Sequence, residues 1–157
     1  MTITAKIDTS SALAGLETLR GGLRASLARS MAVAGGEVIR DEAKARATVE
    51  SGRWQSSFYL AFRDGESTDK QVMYSVSWNS RIAPHGHLQE FGHWQTHQAI
   101  KLPNGEWISG ERLKSPKWQA ANPALRPAFE ATKQRAQTAM LDRARVRLPE
   151  LLAEASE

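Results

Sequence analysis

Ten residues near the middle of the chain, Gln71–Ser80 (QVMYSVSWNS), alternate so cleanly that they constrain what surrounds them. Val72, Tyr74, Val76 and Trp78 fall on one face of an extended segment, Met73, Ser75 and Ser77 on the other. A period of two is that of a half-buried strand, because successive side chains point to opposite sides of the backbone. A strand needs a partner for its amides, and the nearest candidate is Ser56–Arg63, with its aromatic run from Phe58 to Phe62. Asp64-Gly65 and the polar residues through Asp69 read as the connecting loop. The spacing therefore predicts an antiparallel pair of Ser56–Arg63 with Gln71–Asn79.

Upstream the period changes. Leu13, Leu16, Leu19, Leu23, Leu27, Met31, Ala34 and Val38 recur every three or four residues, the apolar stripe of an amphipathic helix. Asp8, Thr9 and Ser10 offer N-cap chemistry at its start, after a weakly alternating strand candidate in residues 2–8. Gly21-Gly22 is expected to divide the stripe into a short first helix and a longer second one, from about Leu23 to Ala47. Gly35-Gly36 lies inside the second helix, where each glycine costs about 1 kcal/mol relative to alanine. Such a pair either admits a closely packed neighbour or is merely tolerated. Ser51-Gly52 then turns the chain into the first strand of the pair.

After the alternating strand comes Ile82–Trp94 (IAPHGHLQEFGHW), which is neither an ordinary strand nor an ordinary solvent loop. Phe91 beside Gly92 reads as an apolar anchor next to a backbone bend, and its burial would draw Glu90 toward low dielectric and a cationic partner. Arg126 is one candidate. A cation in the first turn of a helix opposes the macrodipole, so Arg126 needs a specific partner, either Glu130 four residues on or Glu90. Further along, Asn104-Gly105 between two short apolar segments is a hairpin signal, placing a projecting arm at about 95–116, with a polar loop up to about Ala121. Asn122-Pro123 reads as N-cap and first residue of the last long helix. Its core stripe is Leu125, Phe129, Thr132, Ala136 and Met140, and Pro149 is expected to interrupt it. The whole predicts one α+β domain over residues 1–157: an antiparallel sheet packed by two long helices, with a projecting β-hairpin.

The chemistry-bearing residues exclude more than they suggest. There is no cysteine, hence no disulfide and no thiolate site or nucleophile. No phosphate-cradling loop, nucleophile elbow or paired carboxylates stand out, so no enzymatic activity and no cofactor are expected. His85, His87, His93 and His97 lie close together, but Pro84 and Gly86 argue against the regular strand on which His-x-His would share a face. Surface or interface histidines are expected rather than a metal site. The net charge of +4 fits a solvated basic face, or contact with nucleic acid or an acidic partner. Cations concentrate at Lys133, Arg135, Arg143, Arg145 and Arg147, so the alternative function is a nucleic-acid-binding module using the last helix. Trp78 is in phase with the core, whereas Trp94, Trp107 and Trp118 cluster around the hairpin, where protein interfaces place aromatics. With no membrane-spanning run and no signal-peptide pattern at the N-terminus, a soluble cytoplasmic protein is expected.

Three segments, taken together, resemble a family of small neck and tail proteins of long-tailed bacteriophages. VAGGEVIRDEAKARATVESGRWQSSF resembles a helix ending in the family's A-P-V-D-T-G-R-L-R-x-S-I, matched by Val49, Glu50, Ser51, Gly52, Arg53, Trp54 and Ser57, with Thr48 in place of proline. IAPHGHLQEFGHW resembles Y-A-x-x-v-E-f-G-T through Ala83, Glu90, Phe91 and Gly92, with Ile82 for tyrosine and a longer loop. NPALRPAFEATKQRA resembles P-f-L-R-P-A-f-e through Pro123, Leu125, Arg126, Pro127, Ala128 and Phe129. The blocks stand in the family's order, while the histidine-rich loop and the hairpin depart from it.

The resemblance implies a virion protein without enzymatic activity, for tail completion or head–tail joining, that forms a homo-oligomeric ring, expected to be a hexamer, at the top of the tail tube. It would be assembled in the host cytoplasm and would meet the head-completion or connector protein and the tail tube protein, with genomic DNA passing by and no membrane. The candidate structural or interface residues are Gly52, Arg53, Glu90, Phe91, Gly92, Arg126, Pro127 and Phe129 from the matched blocks, with Trp94 and Trp107 added from the aromatic hairpin region.

Overall fold

A computed structural model describes residues 3–4, 21–48, 52–68 and 71–154. The expected short helix carrying Leu13, Leu16 and Leu19 lies outside them. The elements run β1 (Ile3–Thr4), α1 (Gly21–Arg46), α2 (Arg53–Ser56), β2 (Phe58–Phe62), a 3-10 turn (Asp64–Glu66), β3 (Tyr74–Trp78), α3 (Gly86–Phe91), β4 (His93–Lys101), β5 (Trp107–Gln119) and α4 (Leu125–Glu154). This is an α+β protein. It divides into two compact units, Met1–Pro84 with Ala124–Glu157, and His85–Pro123. None of the described helices is long and apolar enough to cross a membrane.

The first unit is built around the strand of alternating sequence. β3 is the centre of a three-stranded sheet of order β1-β3-β2, antiparallel on both sides, with Ile3 opposite Val76 and Phe58 opposite Trp78. Val76 and Trp78 enter the core as their spacing requires. The other face is not solvated, however. Ser75 and Ser77 are buried as well, and Ser75 Oγ accepts a hydrogen bond of 2.7 Å from Arg63 Nε. Serines fit there because a small side chain that keeps a partner can be buried at modest cost.

Both long helices contribute to one core. Ile39 and Ala43 from α1 meet Leu125, Ala128 and Ala136 from α4, around Trp54, Phe58, Val76 and Trp78. A smaller cluster joins Leu27 and Met31 of α1 to Met140 and Leu151 of α4. The glycine pair explains how α1 serves two neighbours. A Cβ on Gly35 would sit 2.7 Å from Met140 Cγ and 3.3 Å from the Ala136 carbonyl oxygen; one on Gly36 would sit 2.5 Å from Leu60 Cδ1. One glycine admits α4 and the next admits β2, which decides between the two readings of the pair.

The last helix departs from expectation at both ends. Ala124, not Asn122, accepts the first helical bond, from the Ala128 amide at 3.1 Å, and Pro123 precedes the helix. Pro127 is then its third residue, where an amide has no intrahelical partner to lose. Pro149 does not end the helix, which runs through it to Glu154. Packing of Leu151 into the smaller cluster holds the segment beyond the proline in place. The stripe itself is as read: Leu125, Thr132, Ala136 and Met140 are buried, and Phe129 packs half-buried against the core.

Replacing Gly35 by valine is expected to lower stability by about 1–3 kcal/mol, the usual range for overpacking. In urea denaturation, Met140→Ala should recover part of that loss, with a coupling of at least about 0.5 kcal/mol. Strict additivity would refute the close approach of the two helices.

Candidate functional site

The three motif segments place their residues at points where the backbone must do something specific. In the first unit, Gly52 has φ 69°, a left-handed conformation that glycine adopts without cost. Its carbonyl takes the Ser56 amide at 2.9 Å, opening the single turn α2, which the sequence did not reveal. That turn delivers Trp54 into the core, 4.6 Å from the Phe58 ring and 5.4 Å from Trp78, while Arg53 points to solvent. Ser57 Oγ donates back to the Trp54 carbonyl at 2.7 Å. At the start of α4, Leu125 and Ala128 are buried and Arg126 is exposed. Glu130, one of the two partners considered for Arg126, accepts from Lys133 Nζ at 3.1 Å.

The second unit holds the remaining candidates. α3 opens with the Leu88 amide on the His85 carbonyl and closes with the Gly92 amide on the Leu88 carbonyl, both at 2.9 Å. A single helical turn thus lies where the sequence offered neither strand nor loop. Its outcome inverts the anchor reading: Glu90 is the buried residue, at 6%, and Phe91 is 40% exposed. Both lie at the end of a short helix, so adjacent residues face different directions, and the backbone rather than hydrophobicity decides which goes inside. Gly92 does bend the chain, with φ 72° and ψ 171°, a region that is essentially glycine-only. A Cβ there would also meet Gln119 O at 2.7 Å and Ala121 N at 2.9 Å. Glu90 and Arg126 belong to different units.

From Gly92 the chain enters a hairpin longer than expected. Its strands extend from His93 to Lys101 and from Trp107 to Gln119, so most of the predicted polar loop is strand β5. The tip is where Asn-Gly placed it, with Gly105 at φ 86° and Asn104 Oδ1 accepting from the Glu106 amide. The register runs Trp94 opposite Trp118, Gln95 opposite Lys117, His97 opposite Arg112, Ile100 opposite Ile108 and Lys101 opposite Trp107. Between the second and third of these pairs β5 advances five residues while β4 advances two, so Leu113–Pro116 form a large bulge.

Paired residues share a face, and faces alternate along β4. One face of the ribbon therefore carries two apolar pairs, Trp94 with Trp118 and Ile100 with Ile108, with Thr96 and Gln98 between them. The two tryptophan rings meet edge-on at 5.4 Å, and Gly110 leaves room for the Ile100 side chain, to which a Cβ would come within 2.6 Å. The other face carries Lys101, Arg112 and Lys117 with Trp107, whose ring lies 5.4 Å under the Lys101 ammonium. Trp94 is 62% exposed and Trp107 57%.

The histidines do not assemble. His97 Nδ1 shares a hydrogen bond of 3.0 Å with Thr96 Oγ1, whereas His93 Nδ1 is buried without a partner. Among the described residues no group of three or more His, Cys, Asp or Glu is placed to hold a metal ion. The cations of α4 are engaged within the chain: Arg135 with Glu42, Arg145 with Asp142, Arg147 with Glu150 and Glu154, and Arg143 with the Ser30 hydroxyl. The hydrogen bond to Glu150, followed by that to Glu154, raises the Arg147 guanidinium above its ordinary range. The chain matches no protein-family model, no curated protein and no solved structure.

Gly92→Ala is expected to cost about 1–3 kcal/mol from the backbone conformation alone, and more from the clash with β5. In amide hydrogen exchange, protection should fall in β4 and β5 while α1 and α4 keep theirs. Uniform loss, or none, would contradict the placement of this glycine.

Proposed function

We propose that the protein is a structural component of a bacteriophage virion, a tail-completion or head–tail joining subunit that assembles as a ring at the neck. The observation that carries this reading is the two exposed apolar pairs on one face of the β4–β5 ribbon. Trp94, Trp118, Ile100 and Ile108 are each 42% exposed or more, on a two-stranded element of a kind that is marginal on its own in water. Large aromatic side chains held in a fixed pair suit them to anchor a protein interface, because little side-chain freedom is lost on docking.

A ring places different patches of one subunit against each other, since head-to-tail contacts are heterologous. Outside the ribbon, α4 exposes Leu141 and Leu152 on one face, about three turns apart, at 50% and 46%. The resemblance of three segments to phage neck proteins supplies the biological setting. The head-completion or connector protein and the tail tube are then the neighbours above and below. The role asks for no catalytic group.

In solution the chain is expected to form a ring-sized species, either alone or when mixed with tail tubes or filled heads, by light scattering and electron microscopy. Trp94→Ala and Ile108→Ser should each weaken assembly by about tenfold or more, the scale of interface anchors. Unchanged assembly of both variants would remove the ribbon from the interface, and a monomer indifferent to tubes and heads would defeat the ring.

A further inference from the structure

The ribbon carries a group of cations that stand outside every ion pair among the described residues. Between His93 and Gln119 the sequence carries Lys101, Arg112, Lys114 and Lys117 against Glu106 and Glu111. Among the described residues none of these four cations takes part in an ion pair, and Glu106 is engaged by Asn104 Nδ2 at 2.9 Å. All four are exposed. On α4, by contrast, Lys133, Arg135, Arg145 and Arg147 each have a carboxylate within 3.4 Å. Most of the cations on that helix are thus paired, whereas those of the ribbon are not.

We propose that the face of the ribbon bearing Lys101, Arg112 and Lys117, with Trp107, binds the phosphate backbone of duplex DNA. From Lys101 to Gln95, the partner of Lys117, β4 spans six residues, or about 20 Å at the rise of a strand. Over about 20 Å of duplex there are roughly twelve negative charges, so a row of cations on this scale meets a phosphate array of matching length. A two-stranded ribbon is also narrow enough to enter the major groove. Trp107, packed beside Lys101, adds a flat apolar surface on the same side.

An acidic peptide would satisfy the charges as well, but it would have to be ordered over the same length, at the cost of its backbone freedom. A duplex is already extended and stiff. The binding belongs to the ribbon whatever assembly the chain enters, so its test stands or falls independently of the ring.

The test uses the full chain and a fluorescent duplex of random sequence, with affinity measured by anisotropy across a salt series. The combined variant Lys101→Gln, Arg112→Gln, Lys117→Gln is compared with Lys133→Gln, Arg143→Gln, Arg145→Gln on α4, both checked for folding by circular dichroism. The parent should bind the duplex with an affinity that falls steeply with salt. The ribbon variant should lose roughly 2.7 from the slope of log affinity against log salt, about 0.9 for each phosphate contact, and the α4 variant should change little. Three results would overturn the proposal: no duplex binding by the parent at low salt, a loss confined to the α4 variant, or displacement of duplex by polyglutamate at equal charge concentration. The last of these would identify the ribbon as a dock for acidic protein.

Discussion

Two adjacent glycines hold the first unit together by what they lack. Gly35 lets α1 close on Met140 and the backbone of α4, and Gly36, one residue further round the same helix, lets it close on Leu60 of β2. A helix that touches two elements at such short range cannot carry side chains at both contact points. The intrinsic cost of the two glycines, about 2 kcal/mol in a helix interior, is offset by the core this approach closes. Trp54, Phe58, Val76 and Trp78 are sealed between α1 and α4 as a result. The motif turn at Gly52 follows from the same requirement, because it is what brings Trp54 to that core.

The second unit solves a different problem. It has little interior of its own, and its strands are exposed along almost their whole length. What it has is sidedness. Trp94, Trp118, Ile100 and Ile108 stand on one face and Lys101, Arg112 and Lys117, with Trp107, on the other, separated by nothing more than the alternation of a strand. One ribbon with two chemically distinct faces can present different chemistry to two neighbours at once.

Much of the first unit was legible in the sequence because its signals are periodic. The antiparallel pair of β2 and β3, the extent of α1 and the turn at Asn104-Gly105 came out close to expectation, as did the buried stripe of α4 though not that helix's ends. The misses share a cause. α2 and α3 are too short to show a period, and both are set by a glycine at positive φ rather than by hydrophobic spacing. Hydrophobicity alone favoured Phe91 over Glu90 for the interior, and a helix end decided otherwise. β5 was hidden by Ser115, Pro116 and the lysines, since a bulged edge strand resembles a polar loop in sequence. The ion pairs of α4 link residues as distant as Glu42 and Arg135, and no local reading can find them.

The way the ribbon is attached has a further consequence. The Asn122 amide bonds to the Gln89 carbonyl at 2.8 Å, and the backbone at Gly92 lies against Gln119 and Ala121. Entry and exit are therefore clamped side by side, and everything beyond them hangs from one joint. Lengthening or shortening such an appendage alters loop closure by only about 0.6 kcal/mol for each doubling of its length. The arm can be remodelled by insertion and deletion while the clamp stays as it is, so its length and its faces can change without redesign of what holds it.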